Sequence, residues 1–198
     1  MKKNGFTVLE ILIALTILVI IFSLITLMYV RAARTRNIIN AYNEIGEVLS
    51  QMVDTIGNGR KGVFGLKDAG NLCSHQGGTT PITDSYPLNK YTLVFSDFTA
   101  QNTVIYQITA NNITDTSLYQ TTTSGTIDLN PNKKIYLVSG SGFEFYDANG
   151  KNIISEKLNT ETTLVKIVLI GKSTNPAMKK MVPMRIETQV RLKNTLSF

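Results

Sequence analysis

Between Phe6 and Val30 the chain runs for 25 residues with a single charge, Glu10. As a helix, at about 1.5 Å per residue, that run is roughly 37 Å long, enough to cross a hydrocarbon core of about 30 Å with some tilt. After Val30 the chain turns polar and rich in Asn, Thr and Ser, so the average composition describes neither part. The split argues against a purely cytoplasmic soluble enzyme. The whole chain, at 198 residues, suits one domain of moderate size with an appended element, long enough to bury a core without disulfides or metals. A hydrophobic content of 43% and a net charge of +6 argue against a disordered or collagen-like chain. Cys73 is the lone cysteine, which removes an intramolecular disulfide and any zinc site built from several cysteines.

Glu10 separates the explanations of the apolar run. A cleaved secretory signal has a shorter apolar region followed by a small-x-small site. Here the run continues into Met28-Tyr29-Val30-Arg31-Ala32-Ala33, which offers no such site. A plain anchor accounts for the length but leaves a carboxylate in an apolar region, which is costly without a partner unless Glu10 lies shallow and reaches the headgroups. A segment that lives in the membrane only temporarily accounts for more residues together. Met1-Lys2-Lys3-Asn4-Gly5 is then a basic leader, and Gly5-Phe6-Thr7-Val8-Leu9-Glu10 follows it directly.

That hexapeptide, followed by a long apolar stretch, resembles the processing site of type IV prepilins and type II secretion pseudopilins. The resemblance implies cleavage between Gly5 and Phe6 by a prepilin peptidase, and N-methylation of Phe6 by the same enzyme. It further implies a mature helix that waits in the inner (cytoplasmic) membrane, N-terminus in the cytoplasm, and is then pulled into a filament. The chemistry agrees: cleavage creates a cationic amine on Phe6, and in a stack of parallel helices the Glu10 of one chain can meet the Phe6 amine of its neighbour. A buried carboxylate needs such a partner, and the pair would set the axial offset between subunits. Ile11 to Val30 contains neither Pro nor Gly, whereas many major pilins break this helix, so a minor subunit fits better than a major one. Arg31, Arg34 and Arg36 follow the apolar run while the leader carries Lys2 and Lys3, so positive charge alone does not settle orientation.

Beyond the apolar run, Ile38, Tyr42, Ile45, Leu49, Met52 and Ile56 recur at three- and four-residue steps, with Asn37, Asn40, Glu44, Glu47, Gln51 and Asp54 on the complementary stripe. This predicts an amphipathic continuation of the same helix to Ile56, stopped by Gly57-Asn58-Gly59. Residues 60–90 are loop-like, interrupted by Gly and Pro. Strands are then expected at Tyr91–Phe95, Val104–Ile108, Ile113–Gln120, Ile135–Val138, Gly142–Tyr146, Leu164–Ile170 and Met184–Leu192, with a hairpin turn at Asn149-Gly150 returning through Lys151–Ser155. The expected architecture is α+β and pilin-like, one long N-terminal helix packed on a C-terminal antiparallel β-sheet domain. The expected division is a leader at 1–5, a membrane-spanning or filament-core helix at 6–30, its amphipathic continuation at 31–56 and a strand-rich head at 57–198.

Gly142-Phe143-Glu144-Phe145-Tyr146-Asp147-Ala148-Asn149-Gly150-Lys151, the strand Leu164–Leu169 and the terminal Glu187–Asn194 resemble, in order and strand type, minor pilin W and pseudopilin J. This implies a minor subunit that initiates or primes a filament of a type IV pilus or a type II secretion pseudopilus. The implied partners are the prepilin peptidase, the other pilins or pseudopilins, and an inner-membrane assembly platform driven by a cytoplasmic ATPase. The head would be extracytoplasmic before assembly into the filament. The alternatives are a major pilin subunit, or an unprocessed membrane-tethered extracytoplasmic binding domain.

Signals for chemistry are weak. Gly171-Lys172-Ser173-Thr174 imitates the end of a phosphate-binding loop, but Lys166 stands where that motif needs Gly and Asn175-Pro176 follows where a helix should begin, so a surface turn is expected. Cys73-Ser74-His75 offers at most two metal ligands, and His75 is the lone histidine. Glu144 and Asp147 flank a turn. Asp128, Asn130 and Asp147–Asn149 are oxygen-rich without the spacing of a calcium loop. Lys133-Lys134 and Lys179-Lys180 are dispersed pairs that make DNA a conceivable but unsupported partner, and Asn112-Ile113-Thr114 fits a glycosylation triplet. The expectation is a non-enzymatic subunit with no catalytic residues, no metal and no cofactor.

Overall fold

The computed structural model describes residues 7–60, 62–69, 71–72, 90–97, 102–110, 116–153, 162–178 and 180–192. Helix α1 runs unbroken over Val8–Asn58. The chain divides into two compact units, Met1–Ala41 and Tyr42–Phe198. In the first, Val8 to Val30 is exposed throughout and, apart from Glu10, Thr16, Ser23, Thr26 and the Tyr29 hydroxyl, apolar. In the second, Ile45, Leu49, Met52 and Ile56 are buried, as their spacing predicts. Each contributes about 1.5–3 kcal/mol on removal from water. Ile38, on the predicted stripe, is instead 41% exposed. It precedes Tyr42, where the packed part of the helix begins.

Helix α1 is packed against antiparallel sheets, an α+β architecture. A two-residue ribbon, β1 (Gly59–Arg60) and β2 (Val63–Phe64), follows the helix directly. Five strands form a meander: β3 (Asn71–Leu72), β4 (Thr92–Ser96), β5 (Thr103–Ala110), β6 (Thr116–Thr122) and β7 (Gly125–Asp128). The other sheet is centred on the ten-residue β10 (Leu164–Ser173). On one side β10 pairs with β11 (Met184–Arg191), from Leu164↔Arg191 to Gly171↔Met184. On the other side it pairs first with β9 (Gly142–Tyr146) and then with β8 (Ile135–Leu137).

β8 and β9 are thus one edge interrupted over Val138–Ser141. There the Ser141 hydroxyl accepts from the Ile170 N–H at 2.9 Å and donates to the Ile170 carbonyl at 3.2 Å, replacing ladder bonds with side-chain ones. Of the expected return strand after Asn149-Gly150, the described residues show the bridge Tyr146↔Asn152 and the Ile153 N–H donating to the Phe145 carbonyl at 2.9 Å; Ile154 and Ser155 lie outside the described residues. The turn itself forms, with Gly150 at φ +78 and Asp147 Oδ1 accepting from the Asn149 and Lys151 N–H groups at 2.9 and 2.8 Å.

The expectation of a surface turn at Gly171-Lys172-Ser173 is overturned: these are strand residues of β10. The reason is packing. A Cβ on Gly171 would lie 3.1 Å from Leu49 Cδ2 and 3.3 Å from Ile45 Cγ2, so the glycine admits the helix to the sheet. The helix end is held as closely. Gly59 takes φ +79, and a Cβ on Gly65 would run into the backbone of Gly57, Asn58 and Gly59. Tyr106, fully buried on β5, donates its hydroxyl to the carbonyl of Thr55 at 3.1 Å and accepts from the Gln120 side chain at 2.9 Å. Thr55 belongs to the last turn, whose carbonyls have no partner within the helix. The tyrosine therefore ties the helix end to the five-stranded sheet.

Two outcomes follow. Gly65→Ala in the detergent-solubilised full chain lowers the urea midpoint of head unfolding by the equivalent of about 2 kcal/mol or more, since backbone must move, while Gly62→Ala, at a site open on all sides despite its φ of +83, costs less. Burial pushes the Tyr106 hydroxyl well above its ordinary value of 10. The folded state then holds the neutral form while the unfolded chain ionises, so the stability is complete below pH 10 and falls as the pH rises above it. Tyr106→Phe costs about 1–3 kcal/mol at pH 7 by stranding Gln120 and the Thr55 carbonyl, and its denaturation midpoint falls less between pH 9 and 11 than that of the wild type.

Candidate processing and assembly site

The described chain begins at Thr7, and the first helical turn is built by two side chains bonding reciprocally. The Thr7 hydroxyl accepts from the Glu10 N–H at 3.3 Å. The Glu10 carboxylate reaches back, its Oε2 accepting from the Thr7 N–H at 2.8 Å and from the Thr7 hydroxyl at 3.0 Å. This is a capping box, Thr-x-x-Glu, satisfying donors that a helix N-terminus leaves open. The sequence carries the signal as Thr7-Val8-Leu9-Glu10, yet attention to Glu10 as a lone charge passes over Thr7. The carboxylate is thereby aimed toward the start of the helix, the end at which the expected Phe6 amine would stand, and the helix dipole favours negative charge there.

From Ile11 to Met28 the apolar run is internally complete. Thr16, Ser23 and Thr26 donate their hydroxyls to the carbonyls of Leu12, Val19 and Phe22, each at 2.8 Å. These bonds leave none of the three hydroxyls seeking water. What remains is an apolar surface on every side of the helix, with Ile13, Ile17, Ile20 and Leu24 each about half exposed. Such a surface requires lipid or like helices to cover it.

Residues 1–26 match the family described as the prokaryotic N-terminal methylation motif. The chain carries a prokaryotic N-terminal methylation motif. The motif supports the type IV pilin and pseudopilin superfamily, implies processing by prepilin peptidase and assembly with other pilins, and points to a structural subunit. With the long apolar helix it suggests the single-pass anchoring typical of pilins. No curated protein and no solved structure matched the chain.

The other sequence signals fall apart in space or outside the described residues. Gly5 and Phe6, Cys73 and His75, the Asn112–Thr114 triplet and Lys179 lie outside them. Among the described residues no group of three His, Cys, Asp or Glu side chains converges. Asp128 Oδ1 accepts from the Asn130 N–H at 2.8 Å, and the buried Asn130 donates to the Ile135 carbonyl at 2.6 Å, so this oxygen-rich stretch forms a turn. Glu144 accepts from the Tyr146 hydroxyl at 2.7 Å, which raises the tyrosine, and lies 3.9 Å from Lys166. Lys134 is ion-paired with Glu44, whose hydrogen bond raises the lysine and fastens the approach to β8 to the helix.

The reciprocal cap is testable by amide exchange in micelles. Thr7→Val removes the hydroxyl and exposes the Glu10 amide, at a cost of about 1 kcal/mol, so that its exchange quickens roughly fivefold. Thr7→Ser keeps the protection.

Proposed function

We propose that the chain is a minor pilin or pseudopilin, a non-enzymatic subunit cleaved between Gly5 and Phe6, methylated on Phe6 and assembled into, or initiating, a type IV pilus or type II secretion pseudopilus. The observation that carries this reading is the match of residues 1–26 to the N-terminal methylation motif. The preference for a minor subunit rests on the unbroken apolar helix, without Pro or Gly from Ile11 to Val30, and on the order of strands and turns in the head.

In this reading the segment 6–30 spans the inner membrane with its N-terminus in the cytoplasm and the head on the far side. The leader, residues 1–5, is removed by the prepilin peptidase. An assembly platform with its ATPase then lifts the helix into a stack of like helices. Glu10 there exchanges a local duty for an intermolecular one. The carboxylate that caps its own helix is already turned toward the N-terminal end, so the Phe6 amine of a neighbour can approach it without a change of backbone. An ion pair inside an apolar stack is strongly position-dependent, since either charge alone is heavily penalised there. It therefore acts as a register device.

Mass spectrometry of the mature N-terminus decides the processing step: N-methyl-Phe6 is expected, and an intact Met1 leader on a membrane-bound, fully expressed chain overturns it. Glu10→Ala is expected to insert into the membrane as the wild type does while its recovery in sheared filaments falls at least tenfold, the order of effect that stranding a buried charge produces. Normal incorporation of that variant would sink the assembly role.

A further inference from the structure

The apolar run ends in a ring of cations. Arg31, Arg34 and Arg36 are all exposed, and Tyr29 just before them is 74% exposed. With 3.6 residues per turn, Arg31 and Arg34 lie on one side of α1 and Arg36 on the other, so the guanidiniums surround the helix. Among the described residues none of the three enters an ion pair. Along the sequence no Asp or Glu stands between Glu10 and Glu44, and Glu44 is engaged by Lys134. That leaves them open to a counter-charge from outside.

Depth says from where. Ile11 through Val30 is twenty residues, about 30 Å of helix, which equals the thickness of a hydrocarbon core. Glu10 and Arg31 therefore fall at the two opposite boundaries of that slab. Tyr29 has the amphipathic side chain that settles at headgroup level. A guanidinium at that depth meets phosphate, and its planar fork binds phosphate oxygens two at a time.

We propose that Tyr29, Arg31, Arg34 and Arg36 form a collar that docks anionic phospholipid headgroups and holds the helix at one depth until assembly extracts it. The inference rests on the membrane-spanning reading of the apolar run. Three cations without internal compensation select an anionic lipid over a zwitterionic one, whose own ammonium competes for the phosphate.

The test uses the full chain reconstituted into vesicles of equal parts phosphatidylcholine and phosphatidylglycerol, extracted in mild detergent, with the retained lipid quantified by mass spectrometry. Phosphatidylglycerol is expected to exceed phosphatidylcholine on the order of tenfold. The variant R31Q/R34Q/R36Q returns the ratio to that supplied, and R31K/R34K/R36K keeps most of the enrichment. An even ratio with the wild-type chain, while it still resists alkaline extraction from the vesicles, overturns the collar and leaves the membrane reading standing. Release of the wild-type chain by alkaline extraction overturns the membrane reading and the collar with it. If the glutamine variant keeps its phosphatidylglycerol and loses association with a second copy of the chain, the arginines serve a neighbouring helix and the proposal falls.

Discussion

The contact of Leu49 and Ile45 with Gly171 is the joint on which the head depends. A helix can come close to a sheet only where the facing strand carries little side chain, and β10 supplies that place in its second half. Once the helix is seated there, Ile45, Leu49, Met52 and Ile56 bury against a core that includes Val165, Ile167, Leu169 and Val190 of β10 and β11. β10 is also the strand to which β8, β9 and β11 all pair. One glycine thus serves the hydrophobic stripe of α1 and the hydrogen-bonded spine of the sheet together. Close packing of this kind tolerates few changes of volume.

The far end of the helix obeys a different constraint, the need of every buried polar group for a partner. Gly59 and Gly65 let two stretches of backbone approach each other, and the Thr55 carbonyl is met by Tyr106, itself met by Gln120. The interruption between β8 and β9 is repaired on the same principle by Ser141. At these two places a side chain takes over bonds that the helix and the ladder leave open.

Much of this was legible in the residues. The three- and four-residue spacing from Ile45 to Ile56 gave the buried stripe, and the alternation in β5 and β11 gave strands close to those observed. The N-terminal hexapeptide pointed to the pilin and pseudopilin superfamily, a reading that the match of residues 1–26 to the methylation motif supports. Other features were not legible because they depend on partners distant in sequence. Gly171 reads as a turn residue until Leu49 is placed opposite it. The sharing of β10 between β8 and β9 is decided by pairing between residues far apart in the chain. Ile38 continues a perfect apolar period yet lies exposed, since periodicity says which side of a helix is apolar and not how far a domain reaches along it. Thr7 is a different case: its capping signal was present in four consecutive residues and was eclipsed by the charge of Glu10.

The hydroxyls of Thr16, Ser23 and Thr26, each closed onto a carbonyl one turn back, have a consequence for transfer between surroundings. A polar side chain that depends on its medium for a partner makes every change of medium an exchange of bonds, with a barrier at the moment when the old partner is gone and the new one has not arrived. This stretch carries its polar partners within itself. From Ile11 to Met28 it presents the same saturated exterior to acyl chains as to other helices, so the proposed move from one to the other becomes a matter of sliding contacts.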